Sequence, residues 1–160
     1  MTITSVATSW KAIGDLPADV GAALLALGRE TGRAMGSTLG SVLAIGFSAA
    51  GRVARGRETV DRAGLVAMLT AATAAITERS GAAPGDKSIL DSLLRIGHAL
   101  EAQGNSGAAI DVAVDAATAA LAELRDHESR IGRARMYGTR TAGHDDPGML
   151  AAVLLLTAVR

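Results

Sequence analysis

Apolar residues recur at intervals of three and four positions in six separate stretches of this sequence, and nowhere alternate with the two-residue period of a half-buried strand. A chain with that spacing buries its apolar surface through helix faces. Val20, Leu24 and Leu27 make the first stripe, behind Pro17 and Asp19, residues that suit a helix start. Leu39, Leu43, Gly46 or Phe47, Ala50 and Val53 make the second. Leu65, Leu69, Ala72 and Ile76 follow, closed by Ser80-Gly81 and Pro84. Ile89, Leu93, Ile96 and Leu100 run into the breaker Gly104-Asn105-Ser106-Gly107. Ile110, Val114, Ala117, Leu121 and Leu124 make the fifth stripe. A last helix is predicted from Pro147 through Leu150, Val153, Leu154 and Thr157, since a first-turn proline costs no hydrogen bond. The expected fold is all-α: one domain over residues 1–160, an antiparallel barrel or bundle of about seven amphipathic helices.

Composition points the same way. Aromatic residues are 2% of the chain (Trp10, Phe47 and Tyr137), against 49% hydrophobic residues overall, which argues against an all-β fold. Sixteen basic residues balance sixteen acidic ones, so no net charge draws the chain to nucleic acid or to anionic lipid. There is no cysteine, which removes disulfides and thiol chemistry. Apolar runs such as Met149 to Leu156 fall short of the roughly 20 residues that cross a bilayer. No signal peptide opens the sequence, and a cytoplasmic protein is the expectation.

Three loops differ from plain connectors. Gly36-Ser37-Thr38-Leu39-Gly40 opens a helix with glycines and small hydroxyls. Open amides and the helix dipole would attract an anion there, while Ser37 or Thr38 acting as an N-cap explains the same residues. Pro84-Gly85-Asp86-Lys87-Ser88-Ile89-Leu90-Asp91 offers Asp86 as a candidate N-cap, with Asp91 in the first turns. The stretch from about Arg130 to Asp146 is long, rich in glycine and arginine, and ends in an Asp-Pro-Gly helix start. Arginines there suit phosphate, because a guanidinium offers a planar pair of donors. The histidines carry no zinc-ligand spacing. His98 and His127 read as structural, and His144 alone sits in a candidate loop.

Taken together, these loops resemble the nucleotide-binding L subunit or domain of dihydroxyacetone kinases. Gly85-Asp86-Lys87-Ser88-Ile89-Leu90-Asp91 is similar to that family's Gly-Asp-Lys-Thr-Met-x-Asp signature. The segment Gly132 to Gly148 aligns without a gap to its second glycine- and arginine-rich segment, with matches at Gly132, Arg133, Ala134, Gly138, Arg140, Gly143, His144, Asp146, Pro147 and Gly148. Gly36 to Gly40 falls where the family has Gly-Gly-Ala-Ser-Gly.

The resemblance implies a helical barrel that binds ADP or ATP at one end, its phosphates held through magnesium ions. A K-type partner holds the ketose on a histidine, and phosphoryl transfer crosses the interface between the two. In one branch a phosphotransferase-system protein rephosphorylates resident ADP; in the other, ATP is the donor. Related domains occur in tetrulose and fatty-acid kinases. Carried over, Thr38 and Leu39 would lie against the phosphates, and Gly81 and Ile89 would border the adenine. Arg133 would neutralise phosphate charge, and Asp146, Pro147 and Gly148 would close over the nucleotide. No catalytic residue is expected in this chain alone. The implied function is the ADP- or ATP-binding component of a dihydroxyacetone (glycerone) or related short-ketose kinase. The alternative is an inactive homologue that regulates or binds a partner through the same loops.

Several positions depart from the family pattern. Leu39 stands for serine and removes a hydroxyl, Ser41 stands for proline, and Ile89 stands for methionine. Arg135, Met136 and Tyr137 replace Ser-Tyr-Leu, and Thr139 replaces glutamate. The family's Ile-Gly-Asp-x-Asp-His-Gly segment, whose aspartates ligate magnesium, has no counterpart here, and Gly14-Asp15-Leu16-Pro17 is only superficially similar. No metal ligands are therefore assigned. The preferred expectation is a domain truncated at its N-terminus, with the aspartate segment encoded ahead of Met1; the other is true degeneration.

Overall fold

The computed structural model describes residues 14–34 and 36–160; the Met1 alignment, Trp10 and Lys11 lie outside the described residues. Among the described residues, six α-helices and one 3-10 helix make up the regular structure, and there is no strand. All-α architecture is what the periodicity predicts. The helices are α1 (Val20–Ala34), α2 (Thr38–Val53), α3 (Arg62–Ser80), α4 (Ile89–Ala102), α5 (Ala109–Glu123) and α6 (Pro147–Ala158). They fall into two compact units divided between Ser80 and Gly81.

In the first unit α1 packs on α2, and α2 on α3. Carboxylates and hydroxyls start these helices. The Asp19 carboxylate accepts from the Ala22 amide at 2.6 Å and from the Gly56 amide at 2.5 Å, tying the start of α1 to the turn after α2. Ser37 caps α2 by accepting from Gly40 N at 3.1 Å, and Asp61 does the same for α3 through Gly64 N at 2.8 Å. The α1 stripe is shifted from expectation: Val20, Leu24 and Leu27 are half-buried, and the fully buried residues are Gly21, Gly28 and Thr31. The reason is close backbone approach. A Cβ on Gly21 would lie 2.5 Å from the Gly51 carbonyl oxygen, and one on Gly51 would lie 2.8 Å from the Gly21 oxygen. Small residues on both helices make that crossing possible. Ile76 of α3 packs against the open face of Gly46.

In the second unit α4, α5 and α6 all contact one another. Ile96, Leu100, Val112, Val114, Ala117, Ala120, Leu124 and Met149 form its buried apolar interior. Ser88, not Asp86, caps α4. Its side chain accepts from Leu90 N, while Asp91 reaches back to the Ser88 amide and completes a capping box. Asp86 serves the preceding turn, accepting from Ala83 N at 2.8 Å. α6 begins as expected, with Asp146 as cap and Pro147 in the first turn, but its buried face is Met149, Ala151 and Ala152. Leu150 and Leu154, expected inside, are exposed. A helix that is apolar nearly all round carries no period to choose a face. The long loop is also more regular than expected, since Ala134–Thr141 forms a 3-10 helix interrupted at Gly138.

Candidate functional site

Each of the three loops ends at a helix N-terminus, where amides lack intrahelical partners. In the first unit, Thr38 is exposed and Leu39 half-buried at the start of α2. The Ser37 hydroxyl takes the Gly40 amide, so the capping role of that loop is real. The amides of Thr38 and Leu39 precede the first intrahelical bond.

The remaining candidates belong to the second unit. There the structure joins the two motifs through Lys87. This side chain is 1% exposed, and its ammonium donates to the carbonyls of Arg125 at 2.7 Å, His127 at 2.9 Å and Thr141 at 2.7 Å. Further bonds reinforce the latch: Arg130 N donates to Asp86 O at 3.0 Å, and Ser129 N donates to the Thr141 hydroxyl at 2.9 Å. Asp91 accepts from Gly85 N at 2.6 Å and from Ser88 N at 2.8 Å, fixing the turn that carries Lys87.

The latch brings Ile89, Asp146 and Gly148 together. A Cβ on Gly148 would meet Ile89 Cβ at 3.4 Å and Asp146 Oδ1 at 3.1 Å. Ile89 is 7% exposed, a wall of this junction rather than a projecting side chain. Pro147 is exposed beside it. The Asp146 carboxylate accepts from Gly148 N and Met149 N, each at 2.9 Å. Burial raises its pKa above the ordinary aspartate value, against the opposing pull of those two amides and of Lys87. Gly81 is exposed with φ of 70°, the left-handed residue that closes α3. A Cβ on Gly81 would meet nothing within 4 Å.

Arg133 sits just before the 3-10 helix, exposed, and is paired with no carboxylate among the described residues. Arg135, also exposed, is likewise paired with no carboxylate among the described residues, whereas two neighbouring arginines are engaged. Arg140 lies over the Tyr137 ring at 5.7 Å, and Arg125 bonds to the Gly143 carbonyl at 3.0 Å and approaches Asp145 at 3.8 Å. An uncommitted guanidinium on a pinned loop, ahead of a carboxylate-capped helix, can meet an anion without first breaking an ion pair.

Sequence reading missed Lys87. One signal was present: a chain whose basic residues are otherwise arginine places one of its two lysines, with Lys11, inside a motif. Among the described residues there is no group of three or more histidines, aspartates or glutamates able to hold a metal ion. Asp19, Asp86 and Asp91 have the structural partners already named.

An all-α chain with glycine-rich loops feeding capped helix N-termini is the class that these features define. The family model of the DAK2 domain matches residues 1–160, and the chain belongs to that family. It is 32% identical over 138 residues to L-erythrulose 1-kinase of Mycolicibacterium smegmatis, a match covering 85% of this chain and 24% of that protein. To the ADP-binding subunit DhaL of PEP-dependent dihydroxyacetone kinase 1 of Listeria innocua it is 31% identical over 102 residues, covering 64% and 48% of the two. The Escherichia coli ADP-binding subunit DhaL is 25% identical over 154 residues, covering 91% and 73%. The chain therefore spans less than half the length of the first two relatives. The crystal structure of the dihydroxyacetone kinase of C. freundii superposes with a TM-score of 0.71 over 97% of this chain and 27% of that one, at 22% identity, which shows the shared fold. No helix among the described residues is long and apolar enough to cross a membrane.

Proposed function

We propose that this chain is the nucleotide-binding component of a kinase acting on dihydroxyacetone or a related short ketose, with ADP or ATP as its ligand. The observation that carries the reading is the junction of the second and third loops, where an uncommitted Arg133 precedes the Asp146-Pro147-Gly148 helix start. Phosphoryl transfer needs positioning and charge stabilisation more than covalent chemistry from the protein. In the second unit Arg133 supplies a bidentate donor for phosphate oxygens; in the first, Thr38 and Leu39 are the phosphate neighbours that the family resemblance implies. Ile89 and Gly81 are the proposed adenine neighbours. The ADP-binding subunits among the relatives support the nucleotide, and the erythrulose and dihydroxyacetone kinases support a short ketose; a K-type partner to hold that ketose is what the family resemblance implies. One DAK2 domain spans both units in this reading, in a cytoplasmic protein. A phosphotransferase-system donor belongs to it if the resident nucleotide is ADP.

Calorimetric titration of the chain with ADP and ATP, with and without magnesium, tests the proposal. Binding of either is expected, and heat from neither would remove it. The second reading, carried by the departures of the sequence from the family pattern at Leu39 and Thr139, is a homologue that binds a K-type partner without supporting transfer. Phosphorylation of dihydroxyacetone in a mixture with a K-type subunit separates the two readings.

A further inference from the structure

We infer that Lys87 is a positioning residue, which holds the Arg133 loop in its ligand-ready form by fastening both loop ends to one ammonium. The inference rests on the nucleotide reading above and adds a residue that meets no ligand itself. An ammonium has three donors, and all three are taken by backbone carbonyls. Those carbonyls come from opposite ends of one excursion: Arg125 and His127 lead into it, and Thr141 closes it. Residues 128–140 lie between, with Arg130, Arg133, Arg135 and Arg140. Closing such a loop costs chain entropy, and a loop closed in advance spares the ligand that cost at the moment of binding.

The backbone at Lys87 supports a role beyond filling space. Its φ of 59° is the left-handed conformation, the one non-glycine residue so placed among those described. A Cβ disfavours that conformation, and such strain persists only where surrounding structure over-determines it. Glycine would sit there with less strain but would have no ammonium. The contacts are to backbone, so the fastening tolerates side-chain changes within the loop, as at Arg135, Met136 and Tyr137.

The test uses the full chain and four variants: Lys87→Met, Lys87→Gly, Arg133→Ala and the Lys87→Met/Arg133→Ala double. Circular dichroism fixes a temperature at which each is folded, and ADP with magnesium is titrated calorimetrically there. Lys87→Met and Lys87→Gly are expected to raise the Kd at least tenfold. Arg133→Ala is expected to cost less than half as many fold in the Lys87→Met background as in the unaltered chain. A lysine serving stability alone would lower Tm and leave the Kd of the folded variants and the independence of the two substitutions unchanged, which overturns the inference. If the unaltered chain binds no nucleotide, the functional reading fails separately. Amide exchange then decides: faster exchange across residues 128–140 in Lys87→Met, with α5 unchanged, supports the fastening, and equal exchange overturns it. If neither Lys87 variant folds, the residue serves folding rather than placement, and the inference is overturned.

Discussion

Arg133 and Arg135 lie two positions apart on one exposed loop, yet they are expected to behave differently. If Arg133 meets phosphate, Arg133→Ala should weaken ADP binding by about 1.5–3 kcal/mol, the scale of a charge-assisted hydrogen bond. Arg135→Ala should leave the affinity nearly unchanged, and equal losses measured by calorimetry would mean that diffuse loop charge is responsible. Asp146 gives a second test at this scale. Burial lifts its folded pKa above the unfolded value, so the folded chain takes up this proton at higher pH than the unfolded chain does. Its contribution to stability is full below the unfolded pKa of about 3.8 and is lost as pH rises through the raised folded value. Asp146→Asn keeps an acceptor for Gly148 N and Met149 N without the charge, and should flatten that part of the stability profile in denaturant titrations across pH. Asp146→Ala loses the cap as well, at a cost of about 1 kcal/mol.

Helix ends were the most legible elements, because their chemistry is local. Ser37 and the Asp146-Pro147 pair announce starts within three residues of the amides they serve. Even the Asp86 error is a displacement of two residues within one turn. Buried faces were less legible. The α1 stripe pointed to leucines, whereas Gly21 and Gly51 set the crossing by letting backbone meet backbone. That geometry makes a prediction: Gly21→Ala and Gly51→Ala each place a Cβ against a carbonyl oxygen and should destabilise the chain by roughly 1–3 kcal/mol, as overpacking does. Gly32→Ala is the contrasting case, since its nearest neighbour is the Ala44 Cβ at 3.4 Å and the position is exposed. Thermal melts of the three variants check the order. The Lys87 contacts were illegible for a different reason: their partners lie 38, 40 and 54 residues away and are backbone atoms, which leave no mark in a side-chain pattern.

For the whole molecule, ligand binding and stability are linked. A nucleotide that binds only the folded chain stabilises it by about 2.7 kcal/mol at a concentration one hundred times its Kd. Tm should therefore rise with ADP concentration, and the rise should shrink in Arg133→Ala; a Tm indifferent to ADP and ATP would argue for the partner-binding reading. Fold class was legible at this scale because six helical stripes and few aromatics leave little else to build.

Lys87 also bears on the chemistry that can be done to the chain from outside. The sequence has two ε-amines, and the one among the described residues is enclosed by three carbonyls. Amine-directed reagents such as acylating esters should leave Lys87 unmodified for as long as the loop stays shut. Its acylation, followed by peptide mass spectrometry, then becomes a clock for loop opening, and bound nucleotide should slow that clock.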